Sequence, residues 1–478
     1  MPARLRAILA SISALFVVLL TIGLVAAFGT TSWQADGVEV CTYTRGQYNP
    51  QIVSDGEGGA IIAWWDSREV VSDIYAQRVY SDGTPAWAAD GVSLCTAVDY
   101  QSYLQLAPDG AGGAVAIWHD YRNTTSSHLY AQRVDADGNT LWYTDGLAIC
   151  TASGGHDQPQ IAFDGVDGAV MTWHDGRGGD ADIYAQRVDA DGNTLWYTDG
   201  VTLCSASYNQ WNAQIVSDGD GGAIVAWRDY RGQNTDIYAQ RVDSNGDMVW
   251  TTNGISLSVS SASQGNPRIV SDGAQGAIVV WSESADGGED IYAQRVHGDG
   301  TTLWTLNGVS LCVASGEQTD PQIVSDGEGG GIVTWMDWRG PDYDIYAQRV
   351  YSDGTPAWTA DGISVTVASE DQSNPQIAPD GSGGAFVTWT DYRDDDDGDI
   401  RAQRLDANGN LLWQAEGVIV CSSPRDQQNP TIVFDGSGSA IVTWEDDRDY
   451  SNDIYAQRVG DLIPTDFVYL PLAVKNYQ

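Results

Sequence analysis

A tryptophan followed by a DGV-like turn returns eight times along this chain, at Trp33, Trp87, Trp142, Trp196, Trp250, Trp304, Trp358 and Trp413, spaced by 54 or 55 residues. Two further landmarks keep the same period. One is the Trp that ends an apolar run such as GGAIVAW, at Trp64, Trp118, Trp173, Trp227, Trp281, Trp335, Trp389 and Trp444. The other is the segment IYAQRV or a variant, starting at Ile74, Leu129, Ile183, Ile237, Ile291, Ile345, Ile400 and Ile454. A chain of 478 residues would ordinarily divide into several domains, but one recurring unit from end to end calls for stacked copies of a single supersecondary motif.

Each unit reads as four strands between Gly- and Asp-rich turns: PQIV (A), GAIVAW (B), DIYAQRV (C) and LW…GVxLC (D). Strand B is almost continuously apolar, as a strand covered on both faces must be. The turns SDG after A and DADGN or YSDGT after C supply the Gly and Asp that hairpins need. The chain opens with a lone D strand, Trp33 to Cys41, and its last repeat stops after strand C at Val459. Pairing the two ends closes a ring and removes the exposed edges an open stack would leave. The expected fold is therefore all-β, a single closed eight-bladed β-propeller over 33–459, four antiparallel strands per blade, with the N-terminal strand completing the last blade.

The segments IYAQRVDADGNTLW at 183–196 and RLDANGNLLW at 404–413 resemble the tryptophan-docking repeat of quinoprotein-type eight-bladed propellers. SDGTPAW at 81–87 is similar to a shortened Asp-box turn of sialidase-like propellers. The resemblance implies that these motifs sit at the C–D turn and lock blades together. It carries architecture only. The adjacent cysteines of a quinone-cofactor enzyme are absent, and the arginines recur blade after blade instead of forming one sialidase-type triad.

Residues 1–27 read as an export signal: Arg4 and Arg6, an apolar run from Ala7 to Phe28, and small Val25 and Ala27 before the cut. An uncleaved anchor is the alternative, since the run is long enough to span a bilayer. Residues 28–32 are expected to be a short linker and 460–478 a tail whose FVYLPLAVKNYQ resembles ends of some exported bacterial proteins, implying surface retention or sorting, with a strand packed on the propeller as the alternative. The expected location is extracellular or cell-surface, without membrane insertion after signal removal, and the expected state a monomer. The formal net charge of −42 makes nucleic acid and anionic membranes poor partners. Glycans, proteins and cations remain open. Cys41, Cys95, Cys150, Cys204, Cys312 and Cys421 share one repeat position, filled elsewhere by Ser258 and Thr366. Equivalent positions on blades about 10 Å apart cannot be bridged, so these are free buried thiols.

The WxDxR motif, as at Trp227, Asp229 and Arg231, occurs in seven blades and is lost at Trp281, Glu283 and Ala285. Repetition argues for an ion-pair clamp within the scaffold. Gln47, Gln101, His156, Gln210, Gln264, Gln318, Gln372 and Gln427 share a position expected near the channel mouth. They form either a polar ring for a ligand or partners for backbone groups of the incoming loop. Binding is expected on the face of the D–A and B–C loops, which vary most. Its candidates are Trp338, Trp211, Tyr121, Tyr230, Tyr392 and Trp65, rings able to stack on sugars or anchor a protein. No cofactor is expected, with calcium as the one candidate. Asp394, Asp395, Asp396, Asp397 and Asp399 are dense enough to hold it, with a solvated loop as the alternative reading. His119, His128, His156 and His174 cluster in blades two and three without zinc-type spacing. No single blade carries a nucleophile, base and orienting group that the others lack. A binding scaffold for glycan or protein is the leading expectation. A carbohydrate-active hydrolase or lyase at the channel mouth and a purely structural envelope protein are the alternatives.

Overall fold

The computed structural model describes residues 29–122, 126–285, 287–394 and 397–461. The expected signal at 1–27 and the tail beyond Asp461 lie outside them. Eight antiparallel sheets follow one another, each with its strands in the order A-B-C-D. Blade two is typical, with A at Gln101–Pro108, B at Ala114–Asp120, C at His128–Val134 and D at Leu147–Cys150. Strands B and C pair without interruption from Ala114↔Val134 to Asp120↔His128. Strand A carries a bulge, so its pairing with B shifts between Ser102 and Gln105.

The core lies between blades. Ile74, Ala76, Leu94 and Cys95 of blade one pack with Ala114, Ala116 and Trp118 of blade two. The strand-B tryptophans are all fully buried, which explains the unbroken apolar run. Removing each such side chain from water stabilises the ring by about 3 kcal/mol. At the seam, Val40, Cys41, Ile441 and Ile454 pack with Ala60, Ile62 and Trp64, so the first and last blades share a core like the others.

Closure runs further than the sequence reading had it. Val38–Cys41 pairs with the last strand, Val38 opposite Ala456. The segment expected to be a linker also pairs, with Gly29, Thr30 and Thr31 opposite Asp461, Gly460 and Val459. The propeller therefore spans 29–461. In other blades the last residue of IYAQRV bridges the residue two before the docking Trp, as in Val79↔Pro85 and Val134↔Thr140. Val459↔Thr31 is that bridge, made here between the two ends of the chain.

Two clamps recur. In the first, the docking Trp reaches the C–D turn of the next blade: Trp87 Nε1 donates to the Ala136 carbonyl at 3.0 Å, and Arg78 Nη1 joins it at 3.1 Å. Gly138, at φ +86, makes room, because a Cβ there would lie 2.8 Å from the Trp87 ring. Arg78 also binds the A–B turn through Asp55, Nε to Oδ2 at 2.9 Å. The second clamp is WxDxR. Asp66 Oδ2 accepts from Trp64 Nε1 at 2.9 Å and Arg68 Nη2 at 2.7 Å, while Arg68 reaches the Asp90 carbonyl and lies 3.6 Å over the Tyr75 ring. Cys41, from the preceding blade, sits 3.5 Å from Arg68 Nη2. Such charge-assisted bonds, shielded from water, account for the conservation of the motif among the repeats. Blade five lacks the arginine, and there Trp281 Nε1 and Ser258 Oγ are buried without partners. All six cysteines are free and buried, and burial pushes each thiol up to about 12.

Candidate functional site at the channel mouth

The scaffold repeats, so the site is found where the repeat is broken. The residue after the strand-B tryptophan is Trp65, His119, His174, Arg228, Ser282, Met336, Thr390 and Glu445 in blades one to eight. Each pairs across with a strand-A residue: Tyr48, Ser102, Asp157, Trp211, Gly265, Thr319, Ser373 and Gln428. The next residue in every blade is the bulge, held at positive φ between 48° and 55°. Six blades use Asn or Asp there, the residues that tolerate this conformation best. The other two use Tyr103 (φ 52°) and Gln158 (φ 48°).

Both exceptions line the same two adjoining pockets. The outer one, about 490 Å³, lies over blades two to four and is lined by Tyr103, His119, Tyr121, Asp157, His174 and Trp211, among others. The inner one, about 240 Å³, is walled by Gln105, Gln160, Gln214, Asn212, Asn266 and Arg268 together with Tyr103 and Gln158. These glutamines occupy the Gln position of strand A's PQ pair and form a second ring of amides beside the expected one at the strand start.

His119 is 2% exposed, and neither ring nitrogen has a hydrogen-bond partner. Its ring packs against Tyr103, centroids 4.7 Å apart, with Nε2 3.7 Å from Asp157 Oδ1. Burial, then the nearby His156, depress it to about 3, so it is neutral at physiological pH. His174 is depressed to about 4 by burial, and its Nε2 accepts from the Ala213 amide at 3.2 Å, which leaves the proton on Nδ1. Buried polar atoms are nearly always satisfied, so the bare nitrogens of His119 call for a partner from outside the chain.

His156 is spoken for. Its Nδ1 lies 2.7 Å from the Ser127 carbonyl, and its Nε2 3.1 Å from Cys150 Sγ and 3.4 Å from Asp175 Oδ2. These three side chains are close enough together for a metal ion. Arg177 occupies the same space, 3.1 Å from the sulfur and 2.5 Å from Asp175, so the group is the clamp of blade three with a histidine added.

The remaining expected ring residues are placed likewise. Gln47, Gln101, Gln210, Gln264, Gln318, Gln372 and Gln427 are fully buried, and their amides donate to carbonyls of the D–A loop, as Gln101 does to Asp99 at 2.8 Å. They staple loops, while His156 at the same repeat position also lines the outer pocket. Of the aromatic candidates, Trp211 and Tyr121 line the outer pocket, and Trp211 stands in strand A (Gln210–Ser217) instead of the loop expected for it. Tyr230 meets Trp211 edge-on at 5.5 Å. The others lie on other blades: Trp65 against Tyr48, Trp338 stacked on Tyr343, and Tyr392 half-buried. Asp394 pairs with Arg401 at 2.9 Å, Asp399 is buried and Asp397 exposed, while Asp395 and Asp396 lie outside the described residues.

No family model matches the chain, and no curated protein matches its sequence. Solved structures similar to it include the polysaccharide lyase Uly1, with a TM-score of 0.46 and 10% identity over 91% of this chain and 100% of that one. A PL25 ulvan lyase has a TM-score of 0.45 and 11% identity over 87% and 94%. A protein of unknown function from Dyadobacter fermentans has a TM-score of 0.41 and 10% identity over 76% and 94%. Likenesses of this size carry no conclusion about ligand or reaction.

Proposed function

We propose that this protein is an exported propeller that binds a saccharide in the mouth pocket over blades two to four. The observation that carries this reading is the coincidence of broken repeat and bare polar atoms. Tyr103 and Gln158 hold a strained conformation that six blades assign to Asn or Asp, and both flank the pocket that His119 lines, its two ring nitrogens buried and unpartnered. Strain of this kind persists where function holds it. Aromatic faces from Tyr103 and Trp211 beside amides and neutral imidazoles match the alternating apolar faces and hydroxyl edges of a sugar ring. Catalysis is the weaker reading. A general base works best when it titrates near the operating pH, whereas burial holds His119 near 3 and His174 near 4.

The test is binding to a panel of polysaccharides by affinity electrophoresis and calorimetry. Wild type is expected to bind at least one chain, with affinity lowered about tenfold or more by Trp211→Ala or His119→Phe and unchanged by Trp338→Ala. Equal loss in all three variants, or none in the first two, would remove the pocket from the account. Release of new chain ends by wild type would favour the enzymatic reading.

A further inference from the structure

Arginine in this protein is almost always paired. Among the described residues, Arg45, Arg228 and Arg268 are the arginines that make no ion pair with a described carboxylate. Arg45 is used at the rim of blade one, where Nη1 donates to the Glu69 carbonyl at 2.7 Å. The other two stand beside the candidate site.

Arg268 occupies the position that is Gln51, Gln105, Gln160, Gln214, Gln322 and Gln376 in other blades, and it lines the inner pocket. Its Nε donates to Gln322 Oε1 at 3.2 Å and its Nη1 to the Pro267 carbonyl at 3.1 Å. Burial lowers its pKa from the ordinary 12.5, and Asp320 is the carboxylate that acts against that from a distance. Arg228 follows the strand-B tryptophan of blade four and pairs across the sheet with Trp211. Its guanidinium lies 5.1 Å over Tyr230 with Nε unpartnered, and it faces Gly265, where a Cβ would come within 3.6 Å of Cζ. Gly265 is the one glycine among the eight strand-A residues that pair with this position, so blade five leaves the side toward Arg228 open.

In a chain of net charge −42, two guanidiniums beside one mouth that make no ion pair with a described carboxylate are a departure in need of a counter-charge. A desolvated cation is costly unless an anion meets it, and the planar fork of arginine fits a carboxylate or sulfate with two parallel bonds. The wider negative field does not prevent this, since about 8 Å of physiological salt solution screens it. Resting on the saccharide reading above, we infer that the pocket selects an acidic saccharide, with the anionic substituent held by Arg268 in the inner pocket and Arg228 guarding its blade-four side. The sugar ring then lies against Tyr103 and Trp211 in the outer pocket.

The experiment compares dextran, polygalacturonate and dextran sulfate by calorimetry in about 0.15 M salt, using wild type, Arg268→Gln and His119→Phe. Arg268→Gln installs the residue that the repeat itself uses, so folding is preserved. Wild type is expected to bind one acidic chain about tenfold tighter than dextran, as charge-assisted bonds imply, and the choice between uronate and sulfate identifies the group. Arg268→Gln is expected to erase the preference, while His119→Phe weakens binding to every chain that binds. Equal affinity for neutral and acidic chains, or a preference that survives in Arg268→Gln, overturns the inference and leaves the saccharide reading standing. Binding to no chain overturns both.

Discussion

Asp461 accepts the indole N–H of Trp413 at 2.8 Å with one carboxylate oxygen and Arg404 Nη1 at 2.6 Å with the other. In every other blade the docking Trp bonds to a backbone carbonyl of the next C–D turn, such as Ala190 for Trp142 or Ala407 for Trp358. No turn crosses the seam, because the chain ends there meet as separate strands. A side-chain carboxylate stands in for the missing carbonyl, and Gly29 sits under the Trp413 ring where a turn glycine sits elsewhere.

Asp461→Ala is expected to lower stability by about 1–2 kcal/mol in urea unfolding, the range for a partly exposed charge-assisted pair, with saccharide affinity unaltered. Wild-type stability in that variant would mean that strand pairing alone closes the ring.

The bulge residue offers an exchange of stability for binding. Replacing Tyr103 by Asn, the residue five other blades use, relieves a left-handed conformation and is expected to stabilise the fold by about 1 kcal/mol. Saccharide affinity is expected to fall in the same variant. A stabilised protein that binds as before would show that Tyr103 is not retained for the ligand.

Acidity should stabilise the ring at first. Burial, reinforced by carboxylates nearby, raises Asp73, Asp182, Asp236 and Asp344 to about 6 and Asp453 to about 7, against an ordinary 3.8. Between these values the native state holds more protons than the unfolded chain, so stability from these groups is lost as pH rises through 6–7 and regained on acidification. His119 and His174 act oppositely. They are neutral in the fold down to about 3 and 4, while the unfolded chain takes up protons below the ordinary 6.5, so their stability is lost as pH falls through that value. Five aspartates outweigh two histidines, so melting temperature is expected to rise from pH 8 and to go on rising through pH 6 toward 5. Asp453→Asn should raise it most at pH 8, less at pH 5, and leave it nearly unchanged only below about pH 4. A melting temperature that falls steadily from pH 8 to 6.5 would contradict the ionisation scheme.

The ring was legible in the sequence because its determinants are local and repeated: a buried Trp, a turn glycine and an Asp–Arg pair at fixed spacing. Its ends lie a few residues beyond the docking Trp33 and strand C, a continuation marked by GTTSW at 29–33, which parallels GTPAW at 83–87. The site was less legible. Periodicity draws attention to what recurs, such as Gln101 and its equivalents, whereas His119, His174, Tyr103 and Gln158 fall in slots that change from blade to blade. Comparing copies position by position would have marked those slots. That His119 and His174 meet at one pocket depends on neighbouring strands of different sheets, which spacing does not encode.

The central claim, that a saccharide occupies the mouth pocket, is tested most directly by the imidazole C–H signals of the five histidines in the NMR spectrum of the intact protein. Titration with the chain that binds is predicted to move the His119 and His174 signals together. The signal of His297, exposed in the C–D turn of blade five, should stay fixed. Saturable binding that leaves His119 and His174 unmoved would place the ligand elsewhere on the ring and contradict the account.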